Sequence, residues 1–283
     1  MTRKVLITGA AGRVGSYLAS RWVHLYDLVL TDVRRPTETY GLPFILADLA
    51  DQAAVEAACQ GVDTIVHMGA NPGVLAPWED LLGPNIMGVY HVFEAARRAG
   101  CRRVIFASSI QAVADYPDDV QVHAFMPPRP RTLYGASKVW GEAVASAYSS
   151  QHGLSAICLR FGAIMPHDFV GVGPGRGSAD IVITLRDLEK VVRAAVEAPD
   201  TLRYGVFHAL SDNRWKRLDI EETRRVLGYE PEELTGEFIF DYAHPDDRQN
   251  AMEEFFRAID DPEIEPVVQF RFKHASGEWP MLE

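Results

Sequence analysis

The chain has 283 residues, close to half of them apolar, enough for one large domain, or a large one with a small one, to bury a substantial core. Its formal charge is −11, it has no basic face for nucleic acid, and no apolar run approaches the length of a membrane span. Three widely spaced cysteines (Cys59, Cys101, Cys158) and nine histidines without HxxxH or CxxC spacing suggest neither a disulfide framework nor a metal clip. They read as reduced thiols in a cytoplasmic protein.

The first 160 residues alternate short β-branched runs with longer amphipathic stretches. KVLITG reads as a strand, followed by a helix from about Arg13 to His24 and by strands at DLVLTD and PFILAD. DQAAVEAACQG is a helix that Gly61 suits as a closing residue. DTIVHMG and RRVIFASS are buried-type strands, separated by one long helix from about Trp78 to Ala99 that Gly100 ends. RTLYGASKVWGEAVASAYSSQHG is the next helix and SAICLRFG the next strand. Apolar strands alternating with helices imply parallel strands covered on both faces, so the expected fold class is α/β, a doubly wound Rossmann-type sheet. After Pro166, HDFVGVGPGRGSAD reads as a loop near a ligand, LRDLEKVVRAAVEA as a helix, GVFHAL as a late strand and LDIEETRRVLGY as a closing helix.

Residues 8 to 15, TGAAGRVG, set Gly9, Gly12 and Gly15 between the first strand and the first helix. Such a loop turns tightly, lets backbone approach a pyrophosphate, and aims a helix N-terminus, opened by Arg13 and Val14, at the negative charge. Asp32 ends the second strand, where a carboxylate accepts hydrogen bonds from the ribose hydroxyls and repels a 2′-phosphate; the expected cofactor is NAD. Asp48, beside Leu49, is placed either at the adenine edge or as the cap of the following helix. The small residues of Met68-Gly69-Ala70 end the fourth strand and let a cofactor lie across it; Asn71 either faces substrate or serves the turn.

Tyr134 and Lys138 lie four apart and share a helix face. To act as a base near neutrality the phenol needs its pKa lowered by roughly 3 units, and a neighbouring ammonium favours the phenolate. Ser109 ends the fifth strand and supplies a hydroxyl to hold a substrate oxygen. Together with the glycine turn and Asp32, the YGASK motif resembles the extended short-chain dehydrogenase/reductase superfamily, in its NAD-dependent epimerase/dehydratase branch, over about residues 3–230. NIMGVYHVFEAARRAG, with Asn85, and LRFGAIMP add to the likeness. The short interval between LRFG and LRDLEKV, a small substrate-covering part, is similar to uronate dehydrogenases. The resemblance implies NAD-linked oxidation of an aldose-type hydroxyl and pairing of two copies through the long helices. It leaves open a sugar or nucleotide-sugar epimerase or dehydratase that keeps its NAD. Uronate dehydrogenases carry Asn-His after the serine, where this chain has Ile110 and Gln111. Arg176 stands near the place of a carboxylate-binding arginine.

The acidity belongs to the tail: from Pro231 onward there are 14 acidic and 4 basic residues. LGYEPEELTG, HPDDR and RFKHASGEW are similar to the later part of a PAS sensor domain. The expected division is 1–230 for the nucleotide-binding domain and 231–283 for a partial PAS-like remnant, joined at the shared LGYEP string, without a PAS ligand and without a fold of its own. A sensor that binds NAD without turnover and relays its state through this tail is a further reading; the intact Tyr134/Lys138 pair argues against it.

Overall fold

The computed structural model describes residues 2–165, 181–213, 216–232, 243–247, 249–251, 270–271 and 281–282. Seven strands form one parallel sheet: β1 (Lys4–Thr8), β2 (Asp27–Asp32), β3 (Phe44–Leu46), β4 (Thr64–His67), β5 (Arg103–Ser109), β6 (Ser155–Phe161) and a late strand, β9 (Tyr204–Ala209). Their spatial order is β3-β2-β1-β4-β5-β6-β9, so the direction of winding reverses between β1 and β4. In open α/β sheets ligands bind outside the strand ends at such a reversal. Between β6 and β9 a short parallel pair, β7 (Ala163–Met165) and β8 (Val182–Thr184), stands beside the main sheet.

The two-residue period of the strands divides the core. Val5 and Ile7 of β1 face a cluster completed by Leu18 and Trp22 of α1 (Arg13–Trp22) and by Leu188 and Val192 of α6 (Leu185–Glu197). Leu6, between them, faces the opposite cluster, with Val55 of α2 (Gln52–Ala58), Phe93 of α4 (Gly88–Ala99) and Ala145 of α5 (Leu133–His152). Every residue of β6 is buried, as a strand covered on both faces requires.

Helix ends follow from local chemistry. Thr132 caps α5 by accepting from Gly135 N at 3.1 Å, and Gly153 ends it at φ 68°. The carbonyls at the end of α6 are satisfied by a fully buried Arg103, which donates to Ala195 O at 2.9 Å and Ala198 O at 2.6 Å. Asp51, not Asp48, caps α2, accepting from Ala53 N and Ala54 N; Asp48 instead accepts from Ala50 N two residues on.

The expected single helix from Trp78 to Ala99 is three pieces: α3 (Trp78–Leu81), a π-helical turn over Leu82–Met87, and α4. Pro84 lies inside the turn; it lacks an N–H and its ring obstructs regular α bonding, which favours the wider turn. The closing helix is α7 (Glu221–Leu227). Beyond it Tyr229 is fully buried and donates to Leu210 O at 2.8 Å, and Glu232 N donates to Asp187 Oδ1 at 3.0 Å. Contacts with α6 and the residues after β9 therefore run to Glu232. Further along, Asp247 holds Arg271 through two 2.8 Å hydrogen bonds, joining the HPDDR motif to β10 (Phe270–Arg271), which pairs antiparallel with β11 (Met281–Leu282).

Candidate active site

The turn after β1 is built on glycine for stated reasons. Gly9 has φ 68°, and a Cβ there would lie 2.7 Å from Gly69 N; one on Gly15 would lie 2.2 Å from Gly9 O. Those two positions pack backbone on backbone. Gly12 differs: a Cβ would meet only Gly9 O, at 3.3 Å, and would otherwise enter open space at the start of α1. Gly12 caps that ten-residue helix without a side-chain bond, leaving its first N–H groups for an anion. This cradle fits a dinucleotide's pyrophosphate. Asp32 lies beside it, accepting from Ala11 N at 2.9 Å and Arg34 N at 3.2 Å. Val14 packs on the core, and Arg13 donates to Ile164 O at 3.0 Å, tying α1 to β7.

The shelf across the reversal is Met68-Gly69-Ala70. A Cβ on Gly69 would lie 2.8 Å from Leu49 Cδ1, so Leu49, itself buried, supports the shelf from below. Thr8 Oγ1 accepts from Gly69 N at 3.1 Å and lies 2.8 Å from His67 Nδ1, to which its proton can point. Burial, helped by the Lys138 charge, lowers the His67 imidazole to about 3, so it stays neutral.

Beyond the shelf, the Ser109 hydroxyl is near enough to the Tyr134 phenol to favour its ionised form. Ser109 Oγ also accepts from Gln111 N at 3.2 Å, capping a 3₁₀ turn over Ile110–Val113. Lys138 is buried; its Nζ donates to Ala107 O at 2.9 Å and lies 5.4 Å from the Tyr134 ring centroid. Burial pushes Tyr134 up to about 12, against the pull of the Ser109 hydroxyl, and lowers Lys138 to about 8. The group nearest its working range is thus the amine.

Residues 5–196 match the NAD dependent epimerase/dehydratase family. The chain belongs to that family. Among its relatives, an NAD-dependent glucose-6-phosphate dehydrogenase of Haloferax volcanii is 33% identical over 85% of this chain and 97% of its own. A uronate dehydrogenase of Pseudomonas putida is 34% identical over 83% and 86%. A mutant uronate dehydrogenase from Agrobacterium tumefaciens, solved in complex with NAD, superposes with a TM-score of 0.74 at 29% identity, over 95% of each chain. A PAS fold matches residues 220–283, overlapping α7 and Tyr229 of the first domain. The family is NAD-dependent, and its doubly wound fold is the one observed here.

Gly9 follows β1, Asp32 ends β2, Gly69 follows β4 and Ser109 ends β5, while Gly12 and Gly15 open α1 and Tyr134 and Lys138 lie in the first turns of α5. Asn71 spends its Oδ1 on Gly73 N at 2.9 Å, a turn bond. Ile110 is buried in an apolar cluster, while Gln111 is partly exposed. Arg176 lies outside the described residues. Supporting roles that the sequence reading did not assign appear in the structure. Asn85, fully buried in the π-helical turn, accepts from Asn71 N at 2.8 Å and donates to Asn71 O and to Ser137 Oγ, both at 3.1 Å. Ser108, Glu142 and Arg160 form a buried network: Arg160 donates twice to the Glu142 carboxylate at 2.8 Å, and Ser108 Oγ donates to it at 2.6 Å. A buried-type strand carrying an arginine opposite a helical glutamate was the only available signal for that pair.

Among the described residues no helix is long and apolar enough to cross a membrane, and no cluster of His, Cys, Asp and Glu could hold a metal.

Proposed function

We propose that the protein is an NAD-dependent dehydrogenase that oxidises a hydroxyl of a sugar or sugar acid. The observation that carries this reading is the buried Lys138 amine 5.4 Å from the Tyr134 ring centroid, with Ser109 at the end of β5. The relatives acting on glucose 6-phosphate and on uronates support the substrate class.

NAD, when bound on the Gly9–Gly15 turn, supplies the acceptor for the hydride that leaves the carbinol carbon. Ser109 holds the substrate oxygen, and Tyr134 Oη takes its proton as the C–O bond gains double-bond character. Lys138 favours the phenolate and reaches toward the nicotinamide ribose, which also brings a positive ring near the phenol. The products are a carbonyl, reduced NAD and one proton. Asp32 selects NAD against a 2′-phosphorylated cofactor. Gly12, Arg13, Val14 and Gly15 hold the pyrophosphate, and Asp48 and Leu49 the adenine side. Met68, Gly69 and Ala70 hold the middle of the cofactor, with Gln111 toward substrate.

The test is NADH formation with a panel of aldoses, uronic acids and sugar phosphates. Net NADH supports the dehydrogenase. Substrate turnover at constant absorbance would instead assign an epimerase or dehydratase that keeps its NAD. Binding of NAD without turnover of any sugar would favour a sensor.

Two copies are expected to pair through α3, α4 and α5, which expose Trp78, Tyr90 and Trp140; light scattering reads the mass. The segment from residue 231 is read as a PAS-like remnant without a ligand. Limited proteolysis should cut there well before the first domain.

A further inference from the structure

Immediately beyond Ser109 the chain lines a cavity of about 370 Å³. Ile110, Val122 and Leu218 form an apolar floor, all three buried in one cluster. Its polar lining is Gln111, Asp118, Arg131 and Arg217. The cavity adjoins the reacting centre: Gln111 N donates to Ser109 Oγ, and a Cβ on Gly135, next to Tyr134, would lie 2.4 Å from Gln111 O.

The charges around this cavity are not balanced. Three arginines (Arg129, Arg131 and Arg217) meet two carboxylates, Asp115 and Asp118, on a chain that is strongly acidic overall. Arg129 and Arg131 share Asp115, each at 3.3 Å. Arg217 is held by one strong bond, to Tyr116 O at 2.7 Å. Among the described residues its carboxylate contact is Asp118, 3.5 Å away and 82% exposed, a long pair on the water side. Its Nε is buried with no hydrogen-bond partner among the described residues. Arg217 lines the cavity, and the planar fork of a guanidinium matches a carboxylate or a phosphate.

We propose that this cavity receives an oxyanion carried by the sugar, a carboxylate or a phosphate, against Arg217 with Arg131 at the mouth. The inference rests on the dehydrogenase reading for the word sugar, but the anion site stands on the cavity itself. It gives Ile110 a role: an isoleucine that donates no hydrogen bond forms floor, and specificity passes to the arginines across the cavity. On binding, the oxyanion displaces Asp118 from Arg217, so Asp118 is a counter-charge that weakens the site.

The experiment compares glucose 6-phosphate and glucuronate with glucose and galactose, as kcat/KM for NADH formation. The wild type is set beside Arg217→Gln and Asp118→Asn. Binding of inorganic phosphate and of each anionic sugar is followed in parallel by calorimetry, which needs no turnover. An oxyanion site predicts a preference of about 100-fold for one anionic sugar over the neutral ones. It predicts a drop of roughly tenfold or more in that ratio for Arg217→Gln, carried by KM. Asp118→Asn should tighten anion binding about threefold, a gain that misfolding does not imitate. The better of the two anionic sugars tells carboxylate from phosphate. Equal use of neutral and anionic sugars, or an unchanged ratio in Arg217→Gln, overturns the proposal while the dehydrogenase stands. If no sugar yields NADH, the dehydrogenase fails, and calorimetry alone decides: anion binding lost in Arg217→Gln sustains the site, and no anion binding ends it.

Discussion

Asn85 donates from its side-chain amide to the Ser137 hydroxyl at 3.1 Å, and Ser137 in turn donates to Tyr134 O at 2.7 Å. The same amide group accepts from and donates to the backbone of Asn71. One buried side chain thus fixes the shelf after β4 against the helix that carries the phenol. Asn85→Ala leaves those backbone groups unpaired and should cost about 1–3 kcal/mol of stability, read by denaturant unfolding. As a positioning residue it should lower kcat by roughly tenfold with a smaller change in KM.

Tyr134→Phe removes the proton acceptor and keeps the ring. NADH formation should fall by about 10²- to 10⁴-fold. NAD affinity, measured by fluorescence titration, should stay within a few fold. Retention of more than a tenth of the wild-type rate would exclude Tyr134 as the base.

The amine at about 8 and the phenol at about 12 predict a distinct pH profile. The active form needs the phenolate together with the ammonium. Below pH 8 the ammonium is fully formed and the phenolate rises tenfold per unit, so log kcat/KM should climb with a slope near one. Above pH 8 the gain in phenolate is cancelled by loss of the ammonium, and the curve should level. Lys138→Arg keeps its charge throughout and should continue to climb past pH 8. A wild-type profile flat from pH 6 to 8 would contradict this assignment.

The glycines of the first turn separate fold from cofactor. Gly15→Ala drives a Cβ into Gly9 O at 2.2 Å and should lower stability and NAD binding together. Gly12→Ala meets one atom at 3.3 Å and otherwise fills the space above the helix N-terminus. It should leave the unfolding midpoint nearly unchanged and weaken NAD by roughly tenfold or more, read by calorimetry. Equal losses of stability in the two variants would remove the distinction.

How much of this was legible beforehand depended on the range of the interaction. The seven strands and the glycine turn rest on local signals: β-branched runs, tight-turn residues and helix-closing glycines at Gly100 and Gly153. The pairing of Tyr134 with Lys138 follows from helical spacing. The π-helical turn was missed because an apolar periodic run outweighed a single Pro84 in reading the segment as one helix. The cap of α2 fell to Asp51 rather than Asp48, a boundary question decided by three residues. The upward push of burial on Tyr134 was not legible because burial is a property of the whole fold. The same holds for Asn85 and for the Ser108–Glu142–Arg160 network, whose partners lie far apart in the chain.

Burial also sets the response of the whole molecule to acid. His67 and His208 are each about 99% or more shielded from solvent, and burial lowers them to about 3 and about 4. An unfolded chain protonates both near pH 6.5, so below that pH it binds protons the folded protein refuses. The sign is therefore one of stability lost as pH falls, beginning near 6.5 and continuing to about 4. Each histidine contributes a slope of about 1.4 kcal/mol per pH unit, and the pair about 2.7, a large share of the 5–15 kcal/mol that holds a typical domain. Glu94, whose arginine neighbours lower it to about 2, adds to the loss only below about pH 4.5, where its unfolded form takes up a proton. Between pH 6 and 5 the histidines should dominate. Urea unfolding at these two pH values should show a fall of about 2 to 3 kcal/mol in the wild type, and about half that in His208→Gln. A wild-type stability that does not change over this interval would mean that neither imidazole is held neutral by the fold.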